Sequence, residues 1–139
     1  MARIMGLDVG DKTIGVALSD PLFVTAQPFT TIKRTKAKTD IDRLEEIIKE
    51  KEVDQIVVGL PKNMNNSIGP RAMKVISFVD LLKKRFDLDI LYEDERLTTV
   101  QSENALIDMN VRRENRKKQI DNIAASFILQ SFLDRRSNG

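Results

Sequence analysis

The sequence contains no cysteine and no histidine. Without cysteine there is no disulfide, no thiol nucleophile and no thiolate metal site. Without histidine there is no Ser-His-Asp triad, no imidazole general base and no imidazole metal ligand. No apolar run approaches the ~20 residues that a membrane span requires. The first acid arrives at Asp8, too early for a secretory signal. The expectation is a cytoplasmic protein with no membrane partner. Any catalysis must draw on carboxylates, Lys, Arg, Ser, Thr or Tyr, and hard oxygen donors suit Mg²⁺ or Mn²⁺.

What remains is an ordinary globular composition, 41% hydrophobic and 32% charged over 139 residues. That length fits a single domain spanning 1–139. The net charge is +2, so the placement of charge matters more than its sum. Lys33, Arg34, Lys36 and Lys38 form one basic run, and Arg112, Arg113, Arg116, Lys117 and Lys118 form another. A solvated loop would explain either alone. Two runs, each next to a candidate acidic site or loop, point to phosphate binding.

Hydrophobic periodicity organises the chain. Arg3 to Leu7 reads as a strand that ends at Asp8. Thr13 to Ser19 alternates as a second strand across a hairpin turn at Val9-Gly10-Asp11-Lys12. A third strand is predicted within Pro28 to Lys33. Ile41, Leu44, Ile47 and Ile48 then recur at helical spacing, with Thr39 and Asp42 resembling an N-terminal cap. Gln55 to Leu60 suits a buried strand. Pro70 opens a helix whose apolar face is Met73, Ile76, Phe78, Val79 and Leu82. Leu88 to Tyr92 is a strand ending in Glu93-Asp94-Glu95. Thr98 with Gln101 starts a helix to about Met109, and a last helix from about Gln119 carries Ile120, Ile123, Ala124, Phe127, Ile128 and Leu129. This order predicts an α/β fold: a five-stranded mixed sheet flanked by helices on both faces.

Ligands of such sheets gather outside the carboxyl ends of the strands. Asp8 ends the first strand, and Asp94 and Glu95 end the last. Asp121 can flank the apolar face of the closing helix. Acids converging on one edge repel one another, and a pair of divalent ions ~3.5–4 Å apart would relieve that repulsion. Such ions would also activate water and stabilise the leaving oxygen of a phosphate diester. Each acid has a structural alternative: Asp8 as a turn residue, Glu95 in a surface pair with Arg96, Asp121 as a dipole-stabilising acid. The loop from Gly59 to Ala72, with Lys62, Asn63, Ser67 and Arg71, could cradle a phosphate ahead of the helix at Pro70, or simply connect strand to helix.

These segments resemble the motifs of the YqgF (RuvX) family. Ile4-Met-Gly-Leu-Asp-Val-Gly-Asp-Lys-Thr-Ile-Gly-Val-Ala-Leu-Ser-Asp20 is similar to the first motif. The stretches Gly59–Met64 and Gly69–Ala72 resemble the second, and Asp94-Glu-Arg-Leu-Thr-Thr99 resembles the third. Lys118–Ala125, continued through Ile128–Asp134, is similar to the fourth. The order is right and the match spans nearly the whole chain. The resemblance implies a ribonuclease H-like fold related to the resolvase RuvC. It also implies a bacterial, cytoplasmic nuclease that processes the 5′ end of precursor 16S ribosomal RNA.

Position by position, the resemblance implies Asp8, Glu95 and Asp121 as catalytic acids and ligands of Mg²⁺ or Mn²⁺. The residues expected to hold substrate phosphates are the cations Lys12, Lys62, Arg71, Arg96, Arg112, Arg113, Arg116, Lys117 and Lys118, together with the neutral amide of Asn63. Two departures from the pattern stand out. Glu93 replaces a common aromatic or histidine, and Asn65-Asn66 replaces a common Asp-Gly. The charge of Glu93 leaves open which acid of the triplet binds metal.

Three functions compete. The first is the nuclease, acting on precursor ribosomal RNA, on ribosome assembly intermediates or on branched DNA such as a Holliday junction. The second is a nucleotide-clamping kinase, suggested by Asp8-Val-Gly10 and Gly15-Val-Ala17; the chain is too short for the two domains that clamp needs. The third is a nucleic-acid-binding protein without turnover, active in ribosome assembly or transcription. With no tryptophan and one tyrosine, base stacking is scarce and phosphate and shape recognition dominate. A junction resolvase would need a symmetric dimer, and the sequence leaves monomer and homodimer open.

Overall fold

The computed structural model describes residues 2–61 and 69–94 together with the helix over 113–138, whose side chains are described over 123–136. Within them the chain forms β1 (Arg3–Val9), β2 (Thr13–Ser19), β3 (Ala26–Lys33), α1 (Ala37–Glu50), β4 (Val53–Leu60), α2 (Pro70–Arg85), β5 (Asp89–Asp94) and α3 (Arg113–Asn138). The strands make one five-stranded sheet in the order β3-β2-β1-β4-β5. β1 pairs antiparallel with β2, and β2 with β3, while β1 with β4 and β4 with β5 are parallel. This is the expected mixed sheet.

The central strands are apolar on both faces because both faces are covered. On β1, Met5, Leu7 and Val9 join Ile56, Val58 and Leu60 of β4 in a core sealed by Ile41 and Leu44 of α1 and by Phe78, Val79 and Leu82 of α2. Ile4, Ala17 and Val57 face the other way, against Ala125, Ile128, Leu129 and Leu133 of α3. Full burial of each large aliphatic side chain contributes about 1.5–3 kcal/mol. Among the described residues, no helix is long and apolar enough to cross a membrane.

Several boundaries and faces differ from the sequence reading. β3 starts at Ala26, ahead of Pro28; it is an edge strand, where a proline costs no ladder bond on its solvent side. On α2 the buried positions are Ala72, Val75, Phe78, Val79 and Leu82, whereas Met73 is 55% exposed. The small residues Ala72 and Val75 take the stripe assigned to Met73. α3 begins at Arg113, well before Gln119. The second basic run is therefore helical from Arg113 onward, as Arg, Glu and Lys are good helix formers. The helix expected near 98–109 lies outside the described residues.

Thr39 and Asp42 do not cap α1. Lys36 heads the helix without a side-chain cap bond. Fully buried Asp40 instead reaches back, its Oδ1 accepting a hydrogen bond from the Thr35 backbone N–H at 3.1 Å. Its Oδ2 takes the Arg34 Nε at 3.3 Å. Arg34 also donates to the Gly10 carbonyl at 2.8 Å and lies over the Phe78 ring at 5.0 Å. Arg34 is thus structural, fixing the β1–β2 turn to α1 and α2, and is spent as a phosphate contact.

Candidate active site

Asp8 is the penultimate residue of β1 and half-buried. It pairs across the sheet with Gly15, so the turn-residue alternative does not hold. Strand alternation puts it on the same face as Ile4 and Gly6, the face that α3 covers. The register Leu7↔Val58, carried one residue on, sets Asp8 level with Gly59 of β4. Both neighbours of Asp8 in its row are therefore glycines. In that row neither neighbouring strand adds a side chain beside the carboxylate.

One strand further, Gly59 pairs with Glu93 of β5. Glu93 thus extends the row Gly15–Asp8–Gly59–Glu93 on a single face. It is an in-strand residue, buried to 5% exposure, and its Oε2 accepts a hydrogen bond from Arg135 Nη2 at 2.6 Å. Burial raises its pKa above the usual glutamate value, and the neighbouring Arg135 charge opposes that rise. Sequence alternation along Leu91 and Glu93 could have assigned this face, but the Arg135 partner arises from tertiary packing alone. Asp94 is half-buried and ends the strand.

Gly6 determines how close α3 comes. A Cβ at that position would lie 2.8 Å from Leu129 Cβ and 3.0 Å from the Ala125 carbonyl oxygen. Only glycine permits that approach. Asp121 belongs to α3, one helical turn before Ala125 on the same stripe. Asp8 follows Gly6 by two residues on the same face of β1. The backbone thus brings α3 against β1 at Gly6, two residues before Asp8. Gln130 fixes the helix further along: its Oε1 accepts from the Ala26 N–H and its Nε2 donates to the Val24 carbonyl, each at 2.9 Å.

The remaining predicted residues distribute as follows. Lys12 sits exposed in the β1–β2 turn, immediately beyond the strand that carries Asp8. Arg71 is exposed in the first turn of α2. In that turn region Lys74 Nζ pairs with Asp11 at 3.3 Å across the gap from α2 to the hairpin. Arg113, Arg116, Lys117, Lys118 and Asp121 lie in the first turns of α3, with their side chains outside the described set. Lys62, Asn63, Glu95, Arg96 and Arg112 lie outside the described residues altogether. Among the described residues, no three acidic side chains are grouped to hold a metal ion. Asp8 itself suits one: it is a hard oxygen donor whose cross-strand neighbours are glycines.

The family described as "RuvX: Holliday junction resolvase" matches residues 2–135. A protein of Clostridioides difficile, provisionally named a pre-16S rRNA nuclease, is 55% identical over 98% of this chain and 96% of its own length. One of Thermoanaerobacter pseudethanolicus with the same name is 53% identical over 98% and 99%. Among solved structures, Thermus thermophilus RuvC in complex with Holliday junction substrate aligns with a TM-score of 0.64 at 12% identity, covering 99% of this chain and 97% of that one. A Fowlpox virus resolvase with its junction DNA aligns at a TM-score of 0.57 and 16% identity, covering 96% and 98%. These likenesses show the ribonuclease H-like fold that the strand order describes.

Proposed function

The chain belongs to the RuvX family and is a hydrolase acting on nucleic acid; on that footing we propose that it cuts the precursor of 16S ribosomal RNA at its 5′ side, in the cytoplasm, as a single-domain enzyme. The relatives named for that substrate share over half of their residues with it along nearly the full chain. The observation that carries the reading is Asp8, set between Gly15 and Gly59 at the carboxyl ends of the central strands.

Membership of a resolvase and nuclease family implies dependence on a divalent metal. Mg²⁺ or Mn²⁺ would be held by Asp8 with Glu95 and Asp121, and when bound would supply charge stabilisation and an activated water. The chain's own residues do the rest. Gly15 and Gly59 leave space beside Asp8 for a phosphodiester. Lys12 follows β1 and Arg71 opens α2, so that cations flank the strand ends; Lys62 and Asn63, in the preceding stretch of sequence, would add to them. Arg113, Arg116, Lys117 and Lys118 precede Asp121 on α3 and would hold phosphates leading into the site. Lys117 stands one turn before Asp121 on the same stripe.

A second reading, cleavage of a four-way DNA junction, is favoured by the description of the family itself. The test offers a 5′-extended precursor 16S RNA and a four-way junction to wild type and Asp8→Asn, with Mg²⁺ or Mn²⁺. Metal-dependent cutting of the RNA, reduced by at least about 100-fold in Asp8→Asn, is expected. Cutting of the junction alone would select the second reading. Binding without cutting of either would select the non-catalytic protein.

A further inference from the structure

Glu93 lies level with Gly59 of β4, which in turn lies level with Asp8. Two interstrand spacings separate the Asp8 and Glu93 backbones, roughly 10 Å, and the strand residue between them in the row is Gly59. Glu93 is nonetheless withdrawn. Its side chain is 6% exposed and bonded at 2.6 Å to Arg135, which reaches over from α3 and is itself 65% exposed. A bond this short between charged groups is among the stronger hydrogen bonds available to a side chain. An ion recruiting Glu93 would have to break it and draw a carboxylate out of cover.

Resting on the reading of Asp8 as a divalent-ion ligand, we propose that Arg135 is a positioning residue that keeps Glu93 out of the ion site and cancels its charge there. The ion is then held without Glu93. The row would otherwise present a second full carboxylate to the ion and to the incoming phosphodiester. Such a charge tightens cation binding and repels the substrate. The pairing therefore keeps the ion weakly enough bound, and the floor neutral enough, for a polyanion to dock.

The test is Mn²⁺ binding to the full-length protein at about pH 8 without nucleic acid, followed by calorimetry and by Mn²⁺ electron paramagnetic resonance. Arg135→Gln frees Glu93 and should tighten Mn²⁺ binding roughly three- to tenfold. Glu93→Gln should leave binding within about twofold of wild type, and the double variant should return to that value. A clasp with a purely structural role would weaken binding in both single variants and show no such return. Loss of Mn²⁺ binding in Glu93→Gln, or an unchanged affinity in Arg135→Gln, overturns the proposal. Asp8→Asn, run alongside, separates the two readings. If it binds Mn²⁺ like wild type, the Asp8 assignment fails; if it loses Mn²⁺ while Arg135→Gln is unaltered, the Arg135 proposal alone fails.

Discussion

The two faces of the sheet are built from different materials. Towards α1 and α2 the strands present Met5, Leu7, Ile14, Val16, Ile56 and Val58, a continuous layer of large aliphatic side chains. Towards α3 they present Ile4, Gly6, Ala17 and Val57, and in the row beyond these Gly15, Asp8, Gly59 and Glu93. The first face maximises buried apolar area. The second gives up side-chain volume at Gly6, Gly15 and Gly59, so that a helix can approach and Asp8 sits between glycines. On that second face, polar links from Gln130 and Arg135 attach α3 to the sheet alongside its apolar stripe. Both faces carry core, and the candidate site lies on the α3 face alone.

Substitutions can break this division, the largest expected effect first. Arg34→Ala acts on the scaffold side: it strands the buried Asp40 carboxylate and frees the Gly10 turn. A loss of roughly 3 kcal/mol in urea unfolding is expected. Arg34→Lys should recover only part of it, because the fork to Asp40 and Gly10 is lost. An unchanged midpoint for Arg34→Ala would show that Asp40 is satisfied without it.

Gly6→Ala acts on the other side. The added Cβ must displace Leu129 or the Ala125 carbonyl, and neither is the end of a flexible chain. About 1–3 kcal/mol of destabilisation is expected. Cleavage per folded molecule should fall as well, since α3 shifts relative to β1. If stability drops while cleavage per folded molecule holds, α3 does not set the site geometry.

The smallest effect is expected at Asp20 in the β2–β3 connection. Its Oδ1 accepts the Val24 and Thr25 N–H groups at 2.7 and 2.9 Å. The Thr25 bond foremost lowers its pKa below the usual aspartate value. A lowered folded-state pKa contributes stability above the unfolded value that disappears as pH falls through the folded one. The melting temperature of wild type should therefore exceed that of Asp20→Asn slightly at neutral pH. The gap should close below about pH 4. A gap constant across the acid range would assign the effect to shape and not to charge.

The contrast between faces also explains what the sequence made legible. Strands packed between two layers are apolar throughout, so β1, β2 and β4 and the position of Asp8 at a strand end could be read directly. The resemblance to a family supplied Glu95 and Asp121, which local spacing alone could not rank above surface acids. Residues defined by a distant partner stayed hidden. Asp40 drew no reading at all, because helical spacing does not show that Arg34, just past β3, folds back over it. Glu93 looked like one of three interchangeable acids until the register placed it in the row of Asp8 and Arg135 came over from α3. Met73 was assigned to the core because α2 carries more apolar residues than its buried stripe holds. Gly6 read as a strand residue with no sign that Leu129 needs its space.

The most direct test compares Asp8→Asn with Leu44→Ala on the 5′-extended RNA and the junction, measuring stability and metal-dependent cleavage per folded molecule together. Leu44 is fully buried on the α1 face, so its truncation should cost about 3 kcal/mol and leave cleavage per folded molecule intact. Asp8→Asn should fold with near wild-type stability and cut neither substrate. Cleavage at the wild-type rate by Asp8→Asn would contradict the account.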